Sequence, residues 1–419
     1  MFGYGSHWSI AAKPDLPRRQ MVWGNPFYIP PLAKVMTVDN ALAAYERLKA
    51  KGGPAAGVDR VRYEDVSRAE VAACFCLLVP IILAGDYRPQ PVRVVEIAKA
   101  GGGTRALRLQ VILDRVVAKM IYEAVVEYLD RLFVPWSYGF RPRKSAWHLL
   151  ADMKLGVEKY GLPVLTHDDI RKAFDNVPVE PLLEVLGDVL PDHHHWELIA
   201  AIVRKVDAAG RGVTTGIDQG CALSPLLLNL YLHSCSDTLL TQEATTPSWK
   251  FRYADNLGHL TRDAHEGTHS LDEVRRHLGR AGLTLKGYDP EKPDEPLGLP
   301  VDLRTGSSPL LGFDLSILEG SLLLEVRDKV WKALATELET AHTHPDPPGR
   351  ARGVIQGLVS AIGPALDRRL PSTTRRITRH LREANFPRII PAETLSWWTK
   401  GSLESWLRVL DKTRNPGGQ

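Results

Sequence analysis

The tetrad Tyr253-Ala254-Asp255-Asn256 constrains this chain more than any other stretch of it. It lies within Lys250-Phe-Arg-Tyr-Ala-Asp-Asn-Leu-Gly-His-Leu260, where two apolar runs flank an interval of turn size. Such runs read as two strands of a hairpin, and the carboxylate of Asp255 is then presented at a fixed spot on the turn. A second carboxylate motif stands upstream in Val164-Leu-Thr-His-Asp-Asp-Ile-Arg-Lys-Ala-Phe-Asp175, where a short apolar strand ends in Asp169. Two strand-end aspartates, far apart in sequence but able to meet on one sheet, are what two-metal phosphoryl chemistry requires. Asp168 adjoins Asp169, but alternation along a strand sends it to the opposite face. Asn256 is the oddity, an amide where a third carboxylate is expected.

The 419 residues are too many for one small core and suit two or three subdomains. A hydrophobic content of 44% and a charged content of 24% are those of a soluble globular chain. The formal net charge of +4 does not identify a polyanionic partner, so local clustering has to carry that argument. Cys74, Cys76, Cys221 and Cys235 form no C-x-x-C pair, which argues against a zinc knuckle or a disulfide framework and for reduced thiols in a cytoplasm. No basic start leads into an apolar core, so a secretory signal is not expected. The longest apolar run, Val71 to Ala84, contains Pro80 and is too short to span a bilayer; a buried helix is expected there, and no membrane partner.

Residues 1–35 mix Pro, Gly and aromatics without periodicity and read as an extended arm lying on the protein. Helices are expected over Asn40 to Lys51, Val111 to Phe133, Pro178 to Leu190 and Ala222 to Leu240. Tyr87 to Lys99 reads as a strand, Gly101 to Gly103 as a hairpin turn, and Thr104 to Gln110 as the returning strand. Lys286 to Ser308 is rich in Pro, Gly and Asp and reads as an exposed insertion. The prolines of His342-Thr-His-Pro-Asp-Pro-Pro-Gly349 block helix continuation and mark a boundary. Mixed α/β structure precedes it, and helices follow.

Taken in order, these motifs name a family. Gly57-Val-Asp59, Tyr87-Arg-Pro-Gln-Pro-Val-Arg93, Lys99, Thr104-Arg-Ala-Leu107 and Asp114-Arg115 come first. Ser137-Tyr-Gly-Phe-Arg-Pro142, Asp169 to Asp175, Gln219-Gly-Cys-Ala-Leu-Ser-Pro225 and Tyr253-Ala-Asp255 follow. The series resembles the reverse transcriptases of bacterial group II introns and their relatives over roughly residues 40–315. The resemblance implies an α/β (α+β) fold of the right-hand polymerase type, with fingers and palm followed by an all-helical thumb. Its expected divisions are an N-terminal arm at 1–35, fingers at 36–160, a palm at 161–318 with part of the fingers inserted between its motifs, and a helical thumb and C-terminal extension at 319–419.

The resemblance also implies roles. Asp169 and Asp255, with the backbone carbonyl of Ile170, would hold two Mg²⁺ ions, for which hard oxygen ligands are suited. Phe174 stands where such polymerases place an aromatic gate against a 2′-hydroxyl, which selects deoxynucleotides. Asp175 is expected to brace the local turn. Lys99 and Arg105, either side of the glycine turn, would grip the triphosphate through charge-assisted contacts. Gln219 would lie beside the nascent base pair; Asp218 replaces the usual proline before it, and could repel substrate or recruit a cation. Arg141, Arg143 and Lys144, beside Tyr138 and Phe140, would run along the template. Lys292 resembles the lysine to which protonation of pyrophosphate is ascribed, with Lys286 competing for the role. Leu311, Gly312 and Phe313 resemble the turn that supports the primer terminus. Arg375, Arg379 and Arg382 share a helix face opposite Ile377 and Leu381, and would face the duplex. His193-His194-His195 reads as a surface turn, and Trp397, Trp398 and Trp406 as packing among the last helices.

The family usually reads Tyr-Ala-Asp-Asp at the tetrad. An amide at Asn256 keeps an acceptor oxygen but removes a negative charge, which weakens metal binding and favours Mn²⁺ over Mg²⁺. Some negative-strand RNA virus polymerases carry a similar Asp-Asn turn. The implied activity is RNA-directed DNA synthesis on an RNA template, extending a DNA or RNA primer with dNTPs. Two alternatives stay open: a nucleic-acid-binding scaffold or splicing helper without synthesis, and a template-independent nucleotidyltransferase. The Cys- or His-rich nuclease appendage of many mobile-intron relatives is not seen, which hints at a domesticated enzyme, for instance in defence against phage.

Overall fold

The computed structural model describes residues 27–51, 55–98, 104–204, 212–242 and 248–415. Most of the N-terminal arm, the glycine turn at 101–103 and Lys99 lie outside them. The first helices are α1 (Leu32–Val35), α2 (Val38–Lys51) and α3 (Arg68–Leu83). Ser67 opens α3 with a reciprocal capping box to Glu70, which satisfies two otherwise orphaned amides. This helix is apolar on every side yet only partly covered: Leu77 is 75% exposed, and Ile81 and Leu83 are exposed beside it. The expectation of a buried helix is therefore wrong for its outer face. Val71, Phe75 and Ile82 are fully buried in the core, with Ala72, Leu78 and Val79 packed at its edge.

Strands β1 (Arg93–Ala98) and β2 (Thr104–Leu109) form an antiparallel ladder of their own. The expected start at Tyr87 is too early, because Pro89 and Pro91 offer no N–H to a ladder. Helix α4 (Ile112–Asp130) runs through the largest core, and α5 (Ala146–Tyr160) ends at Gly161 in the left-handed conformation that terminates helices. Next come β3 (Val164–Asp169), α6 (Ala173–Asn176), α7 (Val179–Val189), α8 (His193–Val203) and α9 (Ser224–Leu232). The helix expected to run on to Leu240 instead passes through one π-helical turn, His233–Asp237, into α10 (Thr238–Gln242). The three histidines open α8 rather than forming a surface turn. His195 is buried against Asp192 while His193 and His194 face Glu197 in solvent. Among the described residues no group of three His, Cys, Asp or Glu side chains converges on a metal site.

The central sheet has the order β4-β5-β3-β6, with β4 (Trp249–Tyr253), β5 (Asn256–Thr261) and β6 (Pro300–Asp302) all antiparallel to their neighbours. Thus the 286–308 stretch is not wholly an exposed insertion, since its Pro300–Asp302 part joins the sheet edge. Alternation places Leu257 and Leu260 on opposite faces. Leu257 belongs to the core shared with α11 (Ala264–Arg280), and Leu260 to a second core with α5. The second core also takes in β7 (Ser308–Leu310), β8 (Phe313–Leu318), β9 (Ser321–Val326) and the fully buried Trp406.

The remaining helices are α12 (Asp328–Ala341), α13 (Pro347–Ala361), α14 (Gly363–Glu383) and α15 (Ala392–Arg414). They share a third core from Trp331 to Leu395. Residues 342–346 are thus a turn within one helical unit, ending in Asp346 that caps α13, and the 342–349 stretch is not a boundary between units. Trp398 and Trp406 pack as expected, but Trp397 is 73% exposed. No helix among the described residues is long and apolar enough to cross a membrane.

His259 lies inside the central sheet at 2% exposure, its Nδ1 3.0 Å from the Ser248 hydroxyl. Burial, helped by the charge of Lys250, lowers its pKa to about 3. The unfolded chain takes up a proton below pH ~6.5 and the folded chain does not, so stability falls as pH drops through that window. Denaturant unfolding is expected to show about 2 kcal/mol less stability at pH 5 than above pH 7 from this residue, and a His259→Gln variant should lose that component of the pH slope.

Candidate active site

Register puts the two aspartates together. In the β3–β5 ladder Asp169 lies opposite Asn256, and in the β4–β5 hairpin Tyr253 lies opposite Asn256, so Ala254 and Asp255 form a two-residue turn. Ala254 takes φ +58°, a conformation that L-residues adopt at a cost and that such turns demand. The Ile170 N–H donates to the Asp255 carbonyl at 3.0 Å, which carries the ladder past the strand ends. Burial, and then the charge of Asp169, raises the pKa of Asp255 to about 7.

Asp169 is 3% exposed, and its Oδ1 is a buried acceptor without a hydrogen-bond donor among the described residues. Its Oδ2 accepts a hydrogen bond from the Lys286 ammonium, while the Lys286 N–H donates to the Asp169 carbonyl at 2.8 Å. A buried Asp169 with an orphaned oxygen, beside a half-buried Asp255, is a fit for divalent cations. Two carboxylates suffice where substrate phosphates complete the shell of Mg²⁺. Asp168 faces away, accepting from the amides of Asp169 at 2.7 Å and of Gly287 at 3.1 Å.

A buried clamp holds the turn from behind. Arg252 is 1% exposed and donates to both Asp237 oxygens, with Nη2 at 2.6 Å, to Asn229 Oδ1 at 2.7 Å and to the Ala254 carbonyl at 3.1 Å. The π turn carries Asp237 into this position. Asn229 donates onward to the Gly139 carbonyl at 2.7 Å. Gly139 lies so near the turn that a Cβ there would come within 2.2 Å of the Ala254 nitrogen. Sequence reasoning gave none of the four a role, although Gly139 lies within the quoted Ser137–Pro142 motif. The signal for Asn229 was present, as a lone amide among the leucines of Ser224–Leu232; Arg252 and Asp237 carried none that separates them from surface charges.

Other candidates divide. Phe174 is 6% exposed, its ring 6.2 Å edge-on to Phe140, and the Ile217 N–H donates to its carbonyl at 2.8 Å. That bond ties Phe174 to the loop carrying the half-buried Gln219. Asp175 accepts from Arg108 of β2 at 3.1 Å, a long-range contact in place of the local brace expected of it. Leu311 and Gly312 form the tight β7–β8 turn with φ +48° and +88°, and Phe313 is buried behind it. Arg375, Arg379 and Arg382 line the exposed face of α14, with Ile377 and Leu381 beneath.

Arg141 is corrected: its side chain is 7% exposed and donates to Asp130 at 2.7 Å and to the carbonyls of Val134 and Ser137. A guanidinium with its donors turned inward cannot track a template. Arg143 is exposed but forked onto Glu127 at 2.8 and 3.1 Å, and Lys144 donates to the Pro135 carbonyl at 3.1 Å over the Tyr138 ring. Lys292 is also corrected, since it pairs with Asp289 at 3.5 Å in solvent while Lys286 holds the place beside Asp169. Lys99 lies outside the described residues, and Arg105 is placed only as a member of β2.

The family model for reverse transcriptase (RNA-dependent DNA polymerase) matches residues 97–288. Protein YkfC of Escherichia coli (strain K12) is 29% identical over 232 residues, which is 53% of this chain and 60% of that protein. The group II intron-encoded protein LtrA of Lactococcus lactis subsp. cremoris is 29% identical over 160 residues, 37% of this chain and 26% of that protein. The putative COX1/OXI3 intron 2 protein of Saccharomyces cerevisiae is 26% identical over 196 residues, 46% and 22% respectively. The chain thus spans less than two thirds of the length of each of these relatives. The resemblance to group II intron-type reverse transcriptases is borne out. The mixed helix-and-sheet structure agrees with the palm and fingers that such a domain implies.

Removing one member of a buried ion pair strands the other, at about 3–5 kcal/mol. Denaturant unfolding of Asp237→Ala should show a loss of that size, against less than about 1 kcal/mol for Arg204→Ala on the exposed Glu180 pair.

Proposed function

We propose, from the reverse transcriptase match across residues 97–288, that this chain is an RNA-directed DNA polymerase extending a primer 3′-end with dNTPs on an RNA template. The observation that carries the reading is the register that sets Asp169 and Asp255 side by side with one buried oxygen unpartnered. Asp169, Asp255 and the Ile170 carbonyl are the ligands for two Mg²⁺ ions. When bound, such ions activate a 3′-hydroxyl and neutralise charge on departing pyrophosphate.

The chain's own residues do the rest by position. Phe174 presents the edge of a largely buried ring to the sugar, and its packing on Phe140 resists displacement by a 2′-hydroxyl. Gln219 orients the base pair from its loop, while Lys99 and Arg105 neutralise the triphosphate. Lys286, already on Asp169, is the better placed proton donor than Lys292. Leu311, Gly312 and Phe313 support the primer end. Arg375, Arg379 and Arg382 neutralise the duplex backbone, and Arg143 and Lys144 are the candidates that remain for the template. A cytoplasmic, RNA- and DNA-binding role, whether intron-like or domesticated for host defence, accords with this reading.

Asn256 and the ammonium on Asp169 favour a second reading, a scaffold that binds nucleic acid without synthesis. Primer extension on a defined RNA template separates the two. Synthesis directed by the template is expected, sustained at lower Mn²⁺ than Mg²⁺, abolished in Asp255→Ala and raised about tenfold in Mg²⁺ by Asn256→Asp. Duplex binding with no synthesis in either metal would leave the scaffold. Addition indifferent to template sequence would indicate a nucleotidyltransferase of another kind.

A further inference from the structure

The loop that carries Gln219 is held from two sides. Toward α6, the Gly216 N–H donates to the Val177 carbonyl at 2.7 Å and the Ile217 N–H to the Phe174 carbonyl at 2.8 Å. Toward β2, the Arg108 N–H donates to the Gln219 carbonyl at 3.2 Å. Gly220, at φ +122°, permits this approach, since a Cβ there would lie 3.1 Å from the Arg108 carbonyl oxygen. The Arg108 side chain then spans both neighbours, its Nη1 3.1 Å from Asp175 Oδ1 and its Nε 3.6 Å from Asp218 Oδ1. Asp218 is 5% exposed, so its carboxylate depends on positive charge inside the protein.

The two gripped carboxylates are not arbitrary ones. Asp175 directly follows Phe174, and Asp218 directly precedes Gln219. We propose that Arg108 is a positioning residue, a latch from the β1–β2 hairpin that sets the spacing between Phe174 and Gln219. Through them it sets the sugar and base contacts of the incoming nucleotide. The consequence for nucleotides rests on the polymerase reading; the latch itself does not. Movement of the guanidinium is passed to both residues at once, because each is one peptide unit from a carboxylate that it holds. The arrangement also bears on the unusual Asp218: one cation it meets is this chain's own Arg108, at a distance from the two proposed metal-binding aspartates in sequence and in sheet.

Amide hydrogen exchange on the full chain reads the latch without needing activity. Arg108→Gln and the isosteric Asp218→Asn should each speed exchange across residues 212–221 about tenfold. Protection of β3 and β5 should stay native, and Arg108→Lys should restore part of the loss. Unchanged exchange in both variants overturns the proposal, and so does an equal rise throughout the sheet. If Arg108→Gln does not fold, Asp218→Asn and Asp175→Asn each remove one arm and carry the same test. Single-nucleotide incorporation supplies the second readout. In Arg108→Gln the KM for dNTP should rise about tenfold and the preference for dNTP over rNTP should fall about tenfold, with kcat within about threefold. A fall in kcat alone, with KM and sugar preference native, overturns the positioning role. A native chain that makes no product in either metal removes the polymerase reading, and hydrogen exchange then decides the latch by itself.

Discussion

The antiparallel register of β3 on β5 is the constraint from which the site follows. Asp169 sits opposite Asn256, and only because the β4–β5 turn has two residues does Asp255 fall immediately beside it. A slip of one residue would exchange Asp169 for Asp168 at the same edge. Asp168 is already engaged on the other face by the amides of Asp169 and Gly287. The register is secured by what lies on the two faces, since Leu257 and Leu260 must enter different cores. Position of the acid pair is thus a by-product of hydrophobic alternation, sharpened by the clamp of Arg252 on the turn.

Around the site, among the described residues, three cations answer carboxylates that are wholly or partly buried. Lys286 answers the Asp169 and Asp255 pair, Arg252 answers Asp237, and Arg108 answers Asp175 and Asp218. Each carboxylate would be expensive if left alone in a dry interior. The first cluster differs from the others in one respect. Arg252 and Asp237 satisfy one another through several hydrogen bonds, whereas Asp169 retains an unpartnered oxygen. On the proposed reading, that unmet oxygen is the one a bound cation would satisfy.

Several sequence expectations survive contact with the structure because they rest on local physics. The hairpin at Ala254–Asp255, the strand ending in Asp169, the divergence of Asp168 and the two-sided α14 helix all follow from period and turn chemistry. Arg141 and Lys292 fail for a shared reason. A cation beside aromatics or after a helix has the same local signature whether it faces a ligand or a carboxylate of its own chain. Asp130 and Asp289 claimed these two. The outer face of α3 fails differently: Leu77 and Ile81 read as core by composition, yet burial depends on whether another element arrives to cover them.

What the sequence alone determined is which residues could do this chemistry: strand-end aspartates, a turn with an amide for a carboxylate, and an ordered series of motifs shared with group II intron-type reverse transcriptases. Those properties are local, so the chain carries them without folding. What only the tertiary structure decided is the company each charge keeps. Lys286 rather than Lys292 meets Asp169, Arg141 turns inward, and Arg108 joins Asp175 to Asp218 across 43 residues of chain. The physical reason is that a buried charge is fixed by its nearest opposite charge in space, and sequence distance says nothing about which one that is.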